Sequence, residues 1–116
     1  MHFAVVVENA FVAEDLSDIL QVSFADAQVS FYTSLAALEA GRRHVAPAVL
    51  VASMPVDVLR GSPVIREVAD GGTAVVVVDN WEGQRAETPE DWELVQSPFT
   101  QDSIITAVRA ALDRRA

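Results

Sequence analysis

At 116 residues, with 51% hydrophobic and 22% charged side chains, the chain is long enough for one folded domain and too apolar to be disordered. Its formal net charge of −9 opposes binding to nucleic acid and to anionic lipid, because both are negatively charged. The chain has no cysteine and only two histidines, which argues against disulfides, zinc–thiolate sites and histidine-rich metal sites.

The first elements in chain order are a strand, a helix and a second strand. Phe3–Val7 is a β-branched run without alternation, which is typical of a strand covered on both faces. Asn9–Ser23 has the apolar stripe of a helix, and Asn9 is a suitable N-cap. Ala27–Tyr32 alternates apolar and polar side chains, which predicts a strand nearer the edge of a sheet.

The middle of the chain continues the alternation. Thr33 or Ser34 is expected to cap a short helix that Gly41 ends in the left-handed conformation. Ala48–Ala52 (AVLVA) predicts the third strand. Ser62 followed by proline predicts the start of a helix to about residue 70, where two glycines stop it.

The last third predicts two more strands and a closing helix. Thr73–Val78 (TAVVVV) is the clearest strand of the chain, and Glu93–Val95 predicts a short fifth one. Residues 80–91 are irregular, because Gly83 and Pro89 weaken any helix there. Thr100 or Pro98 then opens a helix with one apolar face, which is formed by Ile104, Ile105, Val108, Ala111 and Leu112.

Strands that alternate with helices in so short a chain predict an α/β fold with a parallel sheet and helices on both faces. We expect one domain over residues 1–116. In such sheets ligands and chemistry collect at the carboxyl ends of the strands. Neither a membrane-spanning run nor an export signal is found, so a cytoplasmic location is expected.

Four stretches, in this order, resemble the receiver domains of two-component response regulators. They are VVVENAFVAEDLSDIL, AVLVASMP, AVVVVDN and LVQSPFTQDSIITAVRAAL. The resemblance covers essentially the whole chain. It implies a flavodoxin-like, three-layer sandwich with five parallel strands in the order 2-1-3-4-5. The fourth helix of the family would fall within residues 80–91 and would be short or irregular.

In the family, an aspartate on the third strand accepts a phosphoryl group, an acidic pair holds Mg²⁺, and a hydroxyl and a lysine bind the phosphoryl oxygens. The resemblance carries these positions onto Glu8 and Asn9 for the acidic pair, Val51 or Ala52 for the acceptor, Asp79 for the hydroxyl and Ser97 for the lysine. Neither Val51 nor Ala52 can be phosphorylated. The chain contains no lysine that could replace the missing cation.

The changes at Asp79 and Ser97 also alter the charge of the expected pocket. They remove a hydroxyl donor and a cation and add a carboxylate. A carboxylate about 4 Å from a phosphoryl oxygen opposes binding by a few kcal/mol at an intermediate dielectric constant. The sequence therefore predicts a pseudo-receiver that is neither an enzyme nor phosphorylated. It would signal by binding a protein: a histidine kinase, another regulator or itself, as a homodimer.

The expected signalling surface differs from that of the family as well. The position of its aromatic switch residue falls near Leu94, with Trp92 two residues earlier. Trp81 and Trp92 bracket the irregular segment and are candidates to anchor a partner. The alternative is that both tryptophans cover the core where a regular helix is missing.

Two other hypotheses remain open. Asp79 or Asp57 could serve as a non-standard acceptor in a phosphorelay. The strand ends could instead form a small-ligand or metal module, with weak Mg²⁺ binding by Glu8, Asn9 and Asp79. We expect no metal and no cofactor, since solvated carboxylates at strand ends explain these residues more simply.

Overall fold

The computed structural model describes residues 1–41, 47–79, 91–96 and 98–115. Within these ranges, strands alternate with helices as the sequence predicts. The strands are β1 (His2–Val7), β2 (Gln28–Tyr32), β3 (Val49–Ser53), β4 (Ala74–Asp79) and β5 (Glu93–Gln96). The helices are α1 (Ala10–Ser23), α2 (Leu35–Gly41), α3 (Val56–Arg60), α4 (Pro63–Asp70) and α5 (Gln101–Arg115).

All five strands lie in one parallel sheet in the order β2-β1-β3-β4-β5. This confirms the predicted fold class and strand order. It also confirms that β2 is an edge strand. The fourth helix expected within residues 80–91 falls almost wholly on residues 80–90, which lie outside the described residues.

The sheet separates two apolar cores, and successive strand residues contribute to opposite ones. Val5 and Val51 pack with α1 and α5, whereas Val6 and Ala52 pack with α2, α3 and α4. The valine runs are therefore continuous because each central strand is buried on both faces. We call the two sides of the sheet the α1/α5 face and the α3/α4 face.

Helix starts follow the predicted capping chemistry. The Ser34 hydroxyl oxygen accepts a hydrogen bond from the Ala37 N–H at 3.0 Å, so Ser34 rather than Thr33 caps α2. The Ser62 hydroxyl accepts one from the Ile65 N–H at 3.5 Å at the start of α4. At the far end of α4, Gly71 is the C-cap and Gly72 has φ +99°.

Three details differ from the sequence predictions. The short helix α3 was not predicted, and it contains Asp57, one of the two alternative acceptor candidates. β3 extends one residue further than predicted, to Ser53. Gly41 is the last residue of α2 and does not have a positive φ. Close packing explains this glycine better, because a Cβ there would lie 2.6 Å from Cε1 of Tyr32.

Candidate functional site at the carboxyl edge of the sheet

The strand register defines which residues meet at the carboxyl edge. Val7 is paired with Ser53 across β1 and β3, and Ala52 is paired with Val77 across β3 and β4. The residues that follow this register along the three strands are Glu8, Met54 and Asp79. Asp79 is in turn paired with Gln96 of β5. We call Glu8, Met54, Asp79 and Gln96 the edge row.

Val51 and Ala52, predicted at the acceptor position, lie inside β3 rather than at its end. Both side chains are fully buried, Val51 on the α1/α5 face and Ala52 on the α3/α4 face. Their partners in β1 are Val5 and Val6, which are also fully buried. Neither residue therefore reaches the edge of the sheet where Glu8 and Asp79 lie.

Met54 takes the place between the two carboxylates instead. It follows the last residue of β3 and is half-buried, and its side chain packs against the core of the α3/α4 face. The sequence prediction ended β3 at Ala52, whereas the structure extends it through Ser53, so Met54 is the first residue after the strand.

Glu8 and Asn9 follow β1 and have different roles. Glu8 is exposed at the edge. The Asn9 side-chain oxygen accepts hydrogen bonds from the Phe11 N–H at 2.9 Å and the Val12 N–H at 3.4 Å. Asn9 thus caps α1, as predicted, and the oxygen that had been considered as a metal ligand already satisfies two backbone donors.

Asp79 ends β4 and contributes a second carboxylate to the edge row. Its residue is half-buried, and its Oδ2 atom is shielded from solvent. In the strand register, Glu8 and Asp79 thus lie on either side of Met54 in the edge row.

No group of three or more His, Cys, Asp or Glu side chains in the described ranges could hold a metal ion. The described helices include none that is long and apolar enough to span a membrane. Asp57 is exposed and lies in the first turn of α3, beyond the end of β3. It is therefore not part of the edge row.

The predicted interaction residues are placed only in part. Trp92 and Leu94 are half-buried and pack against the core of the α3/α4 face. Trp92 also lines a cavity of about 130 Å³, and Leu94 lines a groove of about 540 Å³ between β5 and α5. Trp81 and Ser97 lie outside the described residues.

No protein-family model and no curated protein matches the chain. Solved structures do match it. A response regulator receiver protein from Sinorhizobium medicae is 21% identical, with a TM-score of 0.75 over 100% of this chain and 97% of that one. The chemotaxis protein CheY4 from Vibrio cholerae is 13% identical, with a TM-score of 0.72 over 96% and 98% of the two chains.

NtrX from Brucella abortus is 17% identical, with a TM-score of 0.75. Its match covers 98% of this chain but only 26% of NtrX, so the chain corresponds to about a quarter of that protein. These identities are low, but the agreement extends over nearly all of the chain. The predicted resemblance is confirmed at the level of structure: this chain has the fold of response regulator receiver domains.

Proposed function

We propose that the chain is a single cytoplasmic receiver-type signalling domain that is neither an enzyme nor phosphorylated, and that it acts by binding a protein. The observation that carries this proposal is the edge row, in which Met54 stands between Glu8 and Asp79. In our proposal Met54 occupies the place of the phosphoacceptor. The partner of the domain would be a histidine kinase, another regulator or a second copy of the chain.

The chemistry of the edge row supports the loss of phosphorylation in two ways. A thioether is a weak acceptor of hydrogen bonds and carries no ionisable oxygen that could form an acyl phosphate. The chain also has no lysine to neutralise an incoming phosphoryl group, while Glu8 and Asp79 add negative charge. Within the described residues, the edge row therefore has no acceptor oxygen in the side chain of Met54 and no lysine.

Asp79 remains the alternative acceptor, because it is the carboxylate of the edge row that ends a strand. For phosphorylation at Asp79, its carboxylate oxygen would have to attack a phosphoryl donor close to the carboxylate of Glu8. No lysine would be present to offset the negative charge of the phosphoryl group. Asp57 is a weaker alternative, because it lies on α3 beyond the row. A metal module is disfavoured by Asn9, whose side-chain oxygen already accepts two hydrogen bonds.

Beryllofluoride with Mg²⁺ tests the proposal, because this complex mimics a phosphoryl group bound to an aspartate. Amide NMR spectra of the ¹⁵N-labelled protein should not change when beryllofluoride is added at saturating Mg²⁺. The matched control is Met54→Asp, which returns a carboxylate to the same place. Saturable shifts in the wild-type protein around Glu8 and Asp79 would show that the edge accepts a phosphoryl analogue, and the proposal would then fail.

A further inference from the structure

Among the described residues, no strand pairs with β2 on the side opposite to β1. The Gln28 N–H donates to the Met1 carbonyl at 2.8 Å, so Gln28 faces β1. Backbone groups alternate in direction along a strand, and therefore Ser30 and Tyr32 also face β1. The N–H and C=O groups of Val29 and Phe31 consequently point away from the sheet.

The sequence of β2 itself lacks the charges and prolines with which edge strands usually prevent pairing. β2 reads QVSFY, with no charged residue and no proline, in a chain whose net charge is −9. The Phe31 side chain is 47% exposed. The opposite edge strand is different, because β5 has only four residues and begins with Glu93, whose carboxylate pairs with Arg114 at 3.0 Å.

We propose that β2 pairs in an antiparallel arrangement with β2 of a second copy of the chain. If the twofold axis passes through Ser30, then Gln28 lies opposite Tyr32 and Val29 lies opposite Phe31 of the second copy. This is the register that pairs all five residues of β2. It also places the outward-facing residues, Val29 and Phe31, directly opposite each other.

Such a pair forms four backbone hydrogen bonds across the twofold axis, because each Val29–Phe31 pair exchanges two. Val29 and Phe31 lie two residues apart, so both side chains are on the α1/α5 face. The pairing therefore adds an apolar contact between strands to the hydrogen bonds. The twofold symmetry closes the assembly as a dimer with one ten-stranded sheet, and no filament grows from it.

The short length of β2 and the net charge of the chain predict that the dimer is weak. Five-residue strands bury less area than the roughly 1,200–2,000 Å² of a stable protein interface. Two chains of charge −9 also repel each other, while β2 itself is uncharged. Salt screens this repulsion, so the dimer should become tighter as the ionic strength rises. An interface built from ion pairs would weaken instead.

Sedimentation velocity of the whole chain at rising concentration, up to about 1 mM, tests the inference. The wild-type protein should form a dimer, and Phe31→Lys should weaken it at least about tenfold, because each dimer then contains two added charges at the strand pair. Val22→Lys is the matched control: Val22 is 75% exposed on α1, and its replacement should leave dimerisation unchanged or slightly tighter.

Phe31→Pro is a second variant, which removes an outward N–H and leaves the hydrogen bonds to β1 in place. It should also weaken the dimer, with an unchanged circular dichroism spectrum. If the wild-type protein stays monomeric up to about 1 mM, β2 does not pair with a second copy of the chain and the inference is wrong. Equal effects of Phe31→Lys and Val22→Lys would overturn it too. None of these residues belongs to the edge row, so the inference does not depend on the proposed function.

Discussion

Asn9 follows an acidic residue at the end of β1, and from the sequence it could be read as a metal ligand or as a helix cap. The structure shows the cap, since its side-chain oxygen accepts hydrogen bonds from two of the first backbone N–H groups of α1. Both readings were available because the two roles use the same amide oxygen. The short distances from the Phe11 and Val12 backbone nitrogens to the Asn9 side-chain oxygen identify the role as a helix cap.

Replacing Asn9 with alanine should therefore lower the free energy of unfolding by about 1 kcal/mol, because the first turn of α1 loses its acceptor. Asn9→Asp keeps an acceptor and should remain near the wild-type value. Urea denaturation in the presence of EDTA measures both. Equal stability of Asn9→Ala and the wild-type protein without metal would contradict the capping role.

A second comparison concerns Val51 and Met54. Val51→Asp places a carboxylate in the core of the α1/α5 face and should cost about 3 kcal/mol or more of stability. Met54→Asp places one at the half-buried edge and should cost only about 1–2 kcal/mol. Thermal and urea denaturation compare the two variants. If both lose the same stability, the placement of Met54 at the edge is wrong.

The individual elements were predictable where one pattern dominates. β1 and β4 are valine runs, and α1 and α5 have apolar stripes, so their boundaries agree with the structure to within one or two residues. The short helix α3 was missed because five residues are too few to show a helical period. Gly41 was misread because the sequence does not show that Tyr32 packs against it.

The end of α4 gives a prediction at the scale of an element. Gly72 has φ +99°, so Gly72→Ala should cost about 1 kcal/mol. Gly61 ends α3 at φ −83° with room for a Cβ, so Gly61→Ala should be neutral or stabilise the fold by about 0.5 kcal/mol. Urea denaturation distinguishes them. A Gly72→Ala protein as stable as Gly61→Ala would show that the positive φ is not required.

For the whole molecule, the strand order followed from the alternation of elements and from the resemblance to receiver domains, and the structure confirms it. The register could not be read in the same way. The sequence does not show where β3 ends relative to Pro55, so it does not show which residue of this stretch reaches the edge of the sheet. The pairings of Val7 with Ser53, of Ala52 with Val77 and of Asp79 with Gln96 define the edge row.

Covalent labelling with acetyl phosphate and Mg²⁺, followed by intact mass spectrometry, tests the central claim most directly. The comparison is between the wild-type protein and a variant in which Met54→Asp and Asp79→Thr return a nucleophile and a hydroxyl to the edge row. The variant also carries Ser97→Lys, which restores a lysine at the position that the resemblance to receiver domains assigns to it. The wild-type protein should gain no phosphoryl group, and the variant should gain one as acetate leaves. A wild-type protein labelled to stoichiometry, or a folded variant that stays unlabelled, would contradict the account.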